Sequence, residues 1–315
     1  MSSPKIWLIT GSNSGLGLSL ASYVLSKGDK VCHTVIAAAR DVAKIPPSLS
    51  GAHPIELNPS APETEVYAAA NEALQVYGRI DVLVNNAAYS LTGPVEELDP
   101  VELRAEFQTN LFGPIALIKA LLPSFRAQRS GHILNISSIA GFAGEPSLGA
   151  YNASKAALDA FSDSLSREVA PFAIRVLTIM PGFFPTTFFT RAASTRVPEG
   201  RRLSEYATAE QGGLGIDWIY PAHVRDGQVG DGRKAAQRMW EIVWGEGLAR
   251  GLVEGQGGKR EWVRVPLGPD SVKRMRVKLA QLAENVDAME PIWSSTDMDE
   301  EQIRALREQL DSKRE

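Results

Sequence analysis

Lys5 to Thr10, KIWLIT, is a short apolar run that breaks straight into the turn GSNSGLG and then into an apolar-periodic stretch from about Leu16 to Lys27. A buried strand, a glycine-rich turn and a helix in immediate succession restrict the chain more than any other feature does. The turn must reverse tightly while keeping its backbone N–H groups exposed at a helix N-terminus, where they can hold an anion. Gly11 allows the tight turn, Gly15 a close approach of the main chain to a pyrophosphate, and Gly17 close packing of helix on sheet. The spacing is Gly-x-x-x-Gly-x-Gly, not the commoner Gly-x-Gly-x-x-Gly.

The periodicity beyond this opening keeps alternating between strand and helix. Strands are expected at VIAAAR, HPIELN, IDVLVN, GHILNIS and IRVLTIM. Helices are expected from near Glu63, from about Glu102 to Ala127, and over AYNASKAALDAFSDSLSREV. Strict alternation predicts an α/β fold, a doubly wound parallel sheet of the Rossmann type with helices on both faces, as a single domain over 1–295. After Pro181 the pattern fades through Phe183, Phe184, Phe188 and Phe189 into a Gly-rich and polar stretch, expected to be a substrate flap over about 185–230. A helix near Lys234 to Val243, a surface insertion at about 248–261, the strand EWVRVP and the helix DSVKRMRVKLAQLAENV close the domain. A charged tail, 296–315, carries a weak helical pattern and is expected to be solvated.

Composition narrows the partners. With 44% hydrophobic residues among 315 and a net charge of -4, the chain has a globular core and no broad basic field for nucleic acid or an anionic membrane. A small molecule is the default partner. The lone Cys32 excludes an intrachain disulfide, and His33, His53, His132 and His223 lack metal-ligand spacing, so no metal is expected. No apolar run approaches the ~20 residues that span a bilayer, and no signal-peptide pattern opens the chain, so a cytoplasmic location is expected.

The end of the second strand distinguishes the two nicotinamide dinucleotides. A carboxylate there would bind a ribose 2'-hydroxyl, and an arginine a 2'-phosphate. Arg40 occupies that position, followed by Asp41 as a loop acid expected to point away. NADP is therefore expected, with NAD less favoured. For the chemistry, Tyr151 and Lys155 share one helix face in YNASK, and a phenol needs a neighbouring cation to exchange protons near neutrality. Ser138, just past the fifth strand, would donate to a substrate oxygen, and Asn110 would position a water near Lys155.

In their order and spacing, TGSNSGLG, NNAA, QTNLFGP, NISSIAG, YNASK and PGFFPT closely resemble the motif series of the short-chain dehydrogenase/reductase family over about Lys5 to Thr187. QVGDGRKAAQRM and VPLGPDSVKRM resemble its microbial, retinol-dehydrogenase-like members. The resemblance implies a catalytic tetrad of Asn110, Ser138, Tyr151 and Lys155, in which Tyr151 is the general acid or base. It implies a cofactor site of Gly11, Asn13, Ser14, Gly15, Leu16, Gly17, Arg40, Asn58, Asn86, Ala87, Tyr151, Lys155, Pro181, Gly182, Phe184 and Thr186. The chain departs from the family pattern at Ala88, where a glycine is usual, and at Asn58, where an aspartate is usual. The resemblance further implies hydride transfer to or from a carbonyl or alcohol carbon and a homodimer or homotetramer. Aromatic residues of the flap region, with Trp218, Tyr220 and Trp240, favour a hydrophobic substrate. A non-redox isomerase, dehydratase or cyclase, or an NADP-binding sensor, are the alternatives on the same fold.

Overall fold

The computed structural model describes residues 5–27, 34–186, 188, 194–206, 228–252 and 263–312. The chain divides into two compact units, Met1–Val272 and Lys273–Glu315.

The first unit is built on a seven-stranded parallel sheet in the order β3-β2-β1-β4-β6-β7-β9. The strands are β1 (Ile6–Thr10), β2 (Thr34–Ala39), β3 (His53–Glu56), β4 (Val82–Asn85), β6 (Gly131–Ile136), β7 (Ile174–Pro181) and β9 (Arg264–Leu267). Side chains alternate along them with a period of two, so one run feeds two cores. Ile6 and Leu8 of β1 join a cluster with α2 (Glu63–Tyr77), α4 (Gly113–Gln128) and α5 (Gly149–Val169). Trp7 and Ile9 join another with α1 (Gly15–Leu25) and α6 (Gly232–Trp244). Helices thus cover both faces, as the alternation of apolar runs requires of an all-parallel sheet.

Three features were not anticipated from the sequence. First, the helix expected from Glu102 to Ala127 is interrupted: α3 (Pro100–Phe107) runs into a π-turn, Gln108–Phe112, before α4 begins. The cause is local. Pro114 has no N–H to give the Asn110 carbonyl four residues earlier, and Gly113 sits so close to Pro59 that a Cβ would lie 2.4 Å from its carbonyl oxygen. Second, β5 (Ser90–Thr92) pairs in parallel with β8 (Ser194–Arg196), tying the start of the flap to the segment after β4. Arg201 holds the next residues to Glu102 at 2.7 Å and Asp99 at 3.5 Å, and Leu203 N donates to Glu97. Third, EEQIRALREQL forms a regular helix, with its start fixed by an Asp299–Gln302 capping box.

The second unit contains the rest of α7 (Pro269–Ala288), a short helical turn at Glu290–Trp293, and α8 (Glu300–Asp311). Most of its described side chains are exposed, including Leu282, Val286, Ile303 and Leu306. Trp218, Tyr220, Phe189 and most of the expected flap lie outside the described residues, as does most of the insertion. No helix among the described residues is long and apolar enough to cross a membrane.

Candidate active site

The carboxyl ends of β1, β4, β6 and β7 share one edge, and the sequence-predicted residues gather along it. The Gly-rich turn is held from the neighbouring strand. Asn86 Nδ2 donates to the carbonyl oxygens of Thr10 at 2.9 Å and Gly11 at 3.3 Å. The Thr10 hydroxyl accepts from Asn86 N at 2.9 Å and Ala87 N at 3.0 Å. A Cβ on Gly17 would stand 2.4 Å from both Asn86 Nδ2 and the Gly11 oxygen, so glycine is demanded there by space. Gly11 and Gly15 are demanded by conformation, with φ of 66° and 57°.

The turn opens onto α1. Its N-cap residue, Ser14, makes no side-chain capping bond, and no acidic residue sits in the first turn. Main-chain N–H groups at that helix end are thus left for an anion, which fits a dinucleotide pyrophosphate. Asn13 and Leu16 flank the same turn, and Thr186 faces Gly15, its Cβ 3.4 Å from where a Gly15 Cβ would be. Arg40 follows β2 and is exposed, whereas Asp41 is turned into its own 3-10 turn, accepting from Ala43 N and pairing with Lys44 at 3.4 Å. Asn58 Oδ1 accepts from Ser60 N at 3.1 Å, so one of its lone pairs is already used. Past β7, Gly182 is packed against Asp270, whose Oδ2 accepts from Phe183 N at 2.6 Å; a Cβ at 182 would meet that oxygen at 2.1 Å. Phe184 is buried in the α1/α6 core cluster.

The residues expected to handle protons come from three elements. Tyr151 and Lys155 lie one turn apart on α5, both buried. Lys155 Nζ donates to the Ile136 carbonyl at the end of β6, at 2.8 Å, and lies 5.8 Å from the Tyr151 ring centroid. Desolvation brings the ammonium down to about 8, against the attraction of Asp159 and Glu106. Ser138 begins the turn after β6, and its Oγ accepts from Ala140 N at 3.1 Å while keeping its own hydrogen to donate. That turn packs so tightly on α5 that a Cβ on Gly141 would lie 2.9 Å from the Lys155 carbonyl carbon. Phe188 stacks at a tilt beside Tyr151, with centroids 5.5 Å apart.

Asn110 is placed by the π-turn. Its Oδ1 accepts from Tyr89 N at 3.2 Å, and its Nδ2 donates to Tyr89 O at 2.9 Å and Ser154 Oγ at 3.1 Å. Ser154 in turn donates to the Tyr151 carbonyl at 2.9 Å, which links the π-turn to α5. Sequence reasoning missed Thr10, Asp270, Asp159 and Glu106. For Glu106 a signal existed: it shares the helix face of Leu103, Asn110 and Leu117, a face otherwise suited to burial, and it is fully buried. Burial pushes its carboxyl up to about 7, and that of Asp159, facing Ser137 and Arg264, up to about 6. No cluster of metal-ligating side chains exists among the described residues.

Comparison with known proteins follows the same outline. The short chain dehydrogenase family profile matches residues 5–197. An oxidoreductase, BOA17, of Botryotinia fuckeliana is 38% identical over 198 residues, covering 62% of this chain and 70% of that protein. Human retinol dehydrogenase 8 is 34% identical over 212 residues, covering 66% of this chain and 64% of the relative. Among solved structures, a short-chain dehydrogenase from Streptomyces avermitilis superimposes with a TM-score of 0.79 at 31% identity, over 95% of this chain and all of the other. A gluconate 5-dehydrogenase from Burkholderia cenocepacia, in complex with NADP and tartrate, matches 60% of this chain and 75% of its own with a TM-score of 0.56 at 26% identity.

Proposed function

The chain belongs to the short-chain dehydrogenase family, as an NAD(P)-dependent oxidoreductase, and from that premise we propose that it reduces a hydrophobic ketone or aldehyde with NADPH, or oxidises the matching alcohol. The observation that carries this reading is the pairing of Tyr151 with a desolvated Lys155 anchored to the Ile136 carbonyl. When bound, the nicotinamide supplies the hydride to the carbonyl carbon, or takes it from the alcohol.

The residues of the chain handle everything else. Ser138 donates its hydroxyl hydrogen to the substrate oxygen and so fixes which carbonyl face is presented. Tyr151 gives its phenolic proton to that oxygen as the new C–H bond forms, leaving a phenolate. Lys155 stabilises the phenolate by charge. Because Pro114 leaves the Asn110 carbonyl without its helical donor, and the Asn110 side chain is committed to Tyr89 and Ser154, a relay water near Lys155 would be held by that main-chain oxygen.

Gly11, Asn13, Ser14, Gly15, Leu16 and Gly17 would hold the pyrophosphate. Arg40 would meet the 2'-phosphate, and Asn58, Asn86 and Ala87 would line the adenosine side. Pro181, Gly182, Phe184 and Thr186 would shape the carboxamide end, with Tyr151 and Lys155 on the nicotinamide ribose. The apolar ring of Phe188 beside Tyr151, and the likeness to a retinol dehydrogenase, support a hydrophobic substrate. We further assign the protein to the cytoplasm, as a homodimer or homotetramer, with 1–295 as the catalytic domain. The test is titration calorimetry with NADPH and NADH on the wild type and Arg40→Ala. Tighter binding of NADPH that Arg40→Ala weakens about tenfold, with NADH unaffected, supports the reading. Equal affinities for both nucleotides would overturn the NADP assignment.

A further inference from the structure

Glu106 takes no part in the chemistry above, yet its carboxyl lies in the middle of the residues that do. It is the penultimate residue of α3, fully buried, and its Oε1 accepts from Leu91 N at 3.1 Å, with Asn110 Nδ2 at 3.5 Å. Its Oε2 is buried and has no hydrogen-bond partner among the described residues. A carboxylate oxygen in that position is costly unless a proton neutralises it or a cation answers it. The cation is at hand. Lys155 on α5 is close enough to act on Glu106 electrostatically, and among the described residues the Tyr89 phenol, from the segment before β5, is the other titrating group that senses it. Tyr89 also senses Glu102, one turn earlier in α3, and Arg40 after β2. On its other side Lys155 faces Asp159, one turn further along α5.

Resting on the roles assigned above to Tyr151 and Lys155, we propose that Glu106 is a positioning residue of the reaction. It clamps the Asn110 π-turn to β5, and by gaining or losing a proton at Oε2 it sets how firmly Lys155 keeps its positive charge. With Glu106 neutral, Lys155 has only Asp159 to offset its desolvation. With Glu106 ionised, the ammonium is held to higher pH, and with it the electrostatic support for the Tyr151 phenolate. The raised carboxyl of Glu106, at about 7, and the lowered ammonium of Lys155, at about 8, leave a window near neutrality in which both are charged.

Glu106→Gln tests this, because the amide keeps the volume and an acceptor for Leu91 N but cannot ionise. Measured with NADPH and an aromatic ketone, the alkaline limb of kcat/KM moves to lower pH by about one unit, as expected on losing one opposite charge nearby. The loss falls on kcat, with the KM for the ketone unchanged, while Glu106→Gln unfolds at a higher temperature than the wild type at neutral pH because it lacks the cost of ionising a buried carboxyl. A second readout needs neither cofactor nor substrate. The infrared carbonyl component of a protonated, buried carboxylic acid that titrates at about 7 disappears in the wild type as the pH is raised; that component is absent from Glu106→Gln, which keeps only the one lost near 6 from Asp159, and is retained in Asp159→Asn. A Glu106→Gln enzyme with the wild-type pH profile, or a wild type lacking that band, overturns the proposal. If Tyr151→Phe turned over like the wild type, the reading beneath it would fail instead, while the infrared titration would still decide the state of Glu106.

Discussion

Gly17 is the position where the structure makes the cofactor site most sensitive to a single methyl group. In Gly17→Ala the new Cβ would fall 2.4 Å from Asn86 Nδ2 and 2.4 Å from the Gly11 carbonyl oxygen, with the Gly11 carbonyl carbon at 3.0 Å. The amide is a side-chain end, but Gly11 O is main chain in a turn of positive φ and has no rotamer to change. Alanine gains about 1 kcal/mol over glycine within a helix. Against this, overpacking costs about 1–3 kcal/mol. Displacing Asn86 also loses its bonds to Thr10 O and Gly11 O, at about 1 kcal/mol each. The balance is a net loss of about 2–4 kcal/mol in stability. The turn is also pushed off α1, which should weaken NADPH by about tenfold or more. Thermal unfolding and titration calorimetry measure the two effects. Gly200→Ala is the control, since nothing lies within 4 Å of its Cβ position. A Gly17→Ala protein with wild-type stability and wild-type NADPH affinity would refute the packing argument.

Thr10→Val keeps the shape of a hydroxyl that accepts from both Asn86 N and Ala87 N but removes the acceptor; it should cost about 2–3 kcal/mol in urea unfolding, because two partly buried N–H groups lose their partner. Gly182→Ala should loosen the loop after β7, since its Cβ would strike Asp270 Oδ2 at 2.1 Å, and hydrogen exchange at Phe183 N should rise while the β1–α1 turn stays protected. The pH dependence of stability follows from Glu106. Its folded-state value is raised by burial, so its contribution is fully present below the ordinary carboxylate range of 4.5 and is lost as the pH rises through about 7. Glu106→Gln lacks that loss. Across this window the wild type should therefore fall in stability relative to the variant by on the order of 3 kcal/mol, the attraction of Lys155 being already included in the value of about 7.

Most of the fold was legible because its signals are local and repetitive. The buried strands, the turn between β1 and α1, and the length of α5 each follow from short windows of sequence. The four positions proposed as a tetrad could be picked out as a set, through the order of their motifs, and the structure places them along one sheet edge. Two kinds of feature were not. The π-turn depends on Gly113 meeting Pro59, a contact between residues far apart in sequence, although Pro114 alone marks the freed carbonyl. The roles of Thr10, Glu106 and Asp270 depend on partners at Asn86, Leu91 and Phe183, which periodicity cannot pair. Asn110 illustrates the boundary. Its place in the constellation came from motif order, but its side chain is committed to Tyr89 and Ser154, so the proposed water would fall to its main chain.

The most direct test of hydride transfer assisted by Tyr151 is isotopic. NADPH deuterated at its transferable position is mixed with a hydrophobic aromatic ketone and the wild-type protein, with Tyr151→Phe alongside, and the product is read by mass spectrometry. The account predicts an alcohol carrying one deuterium on its carbinol carbon, formed in step with NADPH loss, and almost none from Tyr151→Phe although that variant still binds NADPH. Product without the label, or equal turnover by Tyr151→Phe, would contradict it.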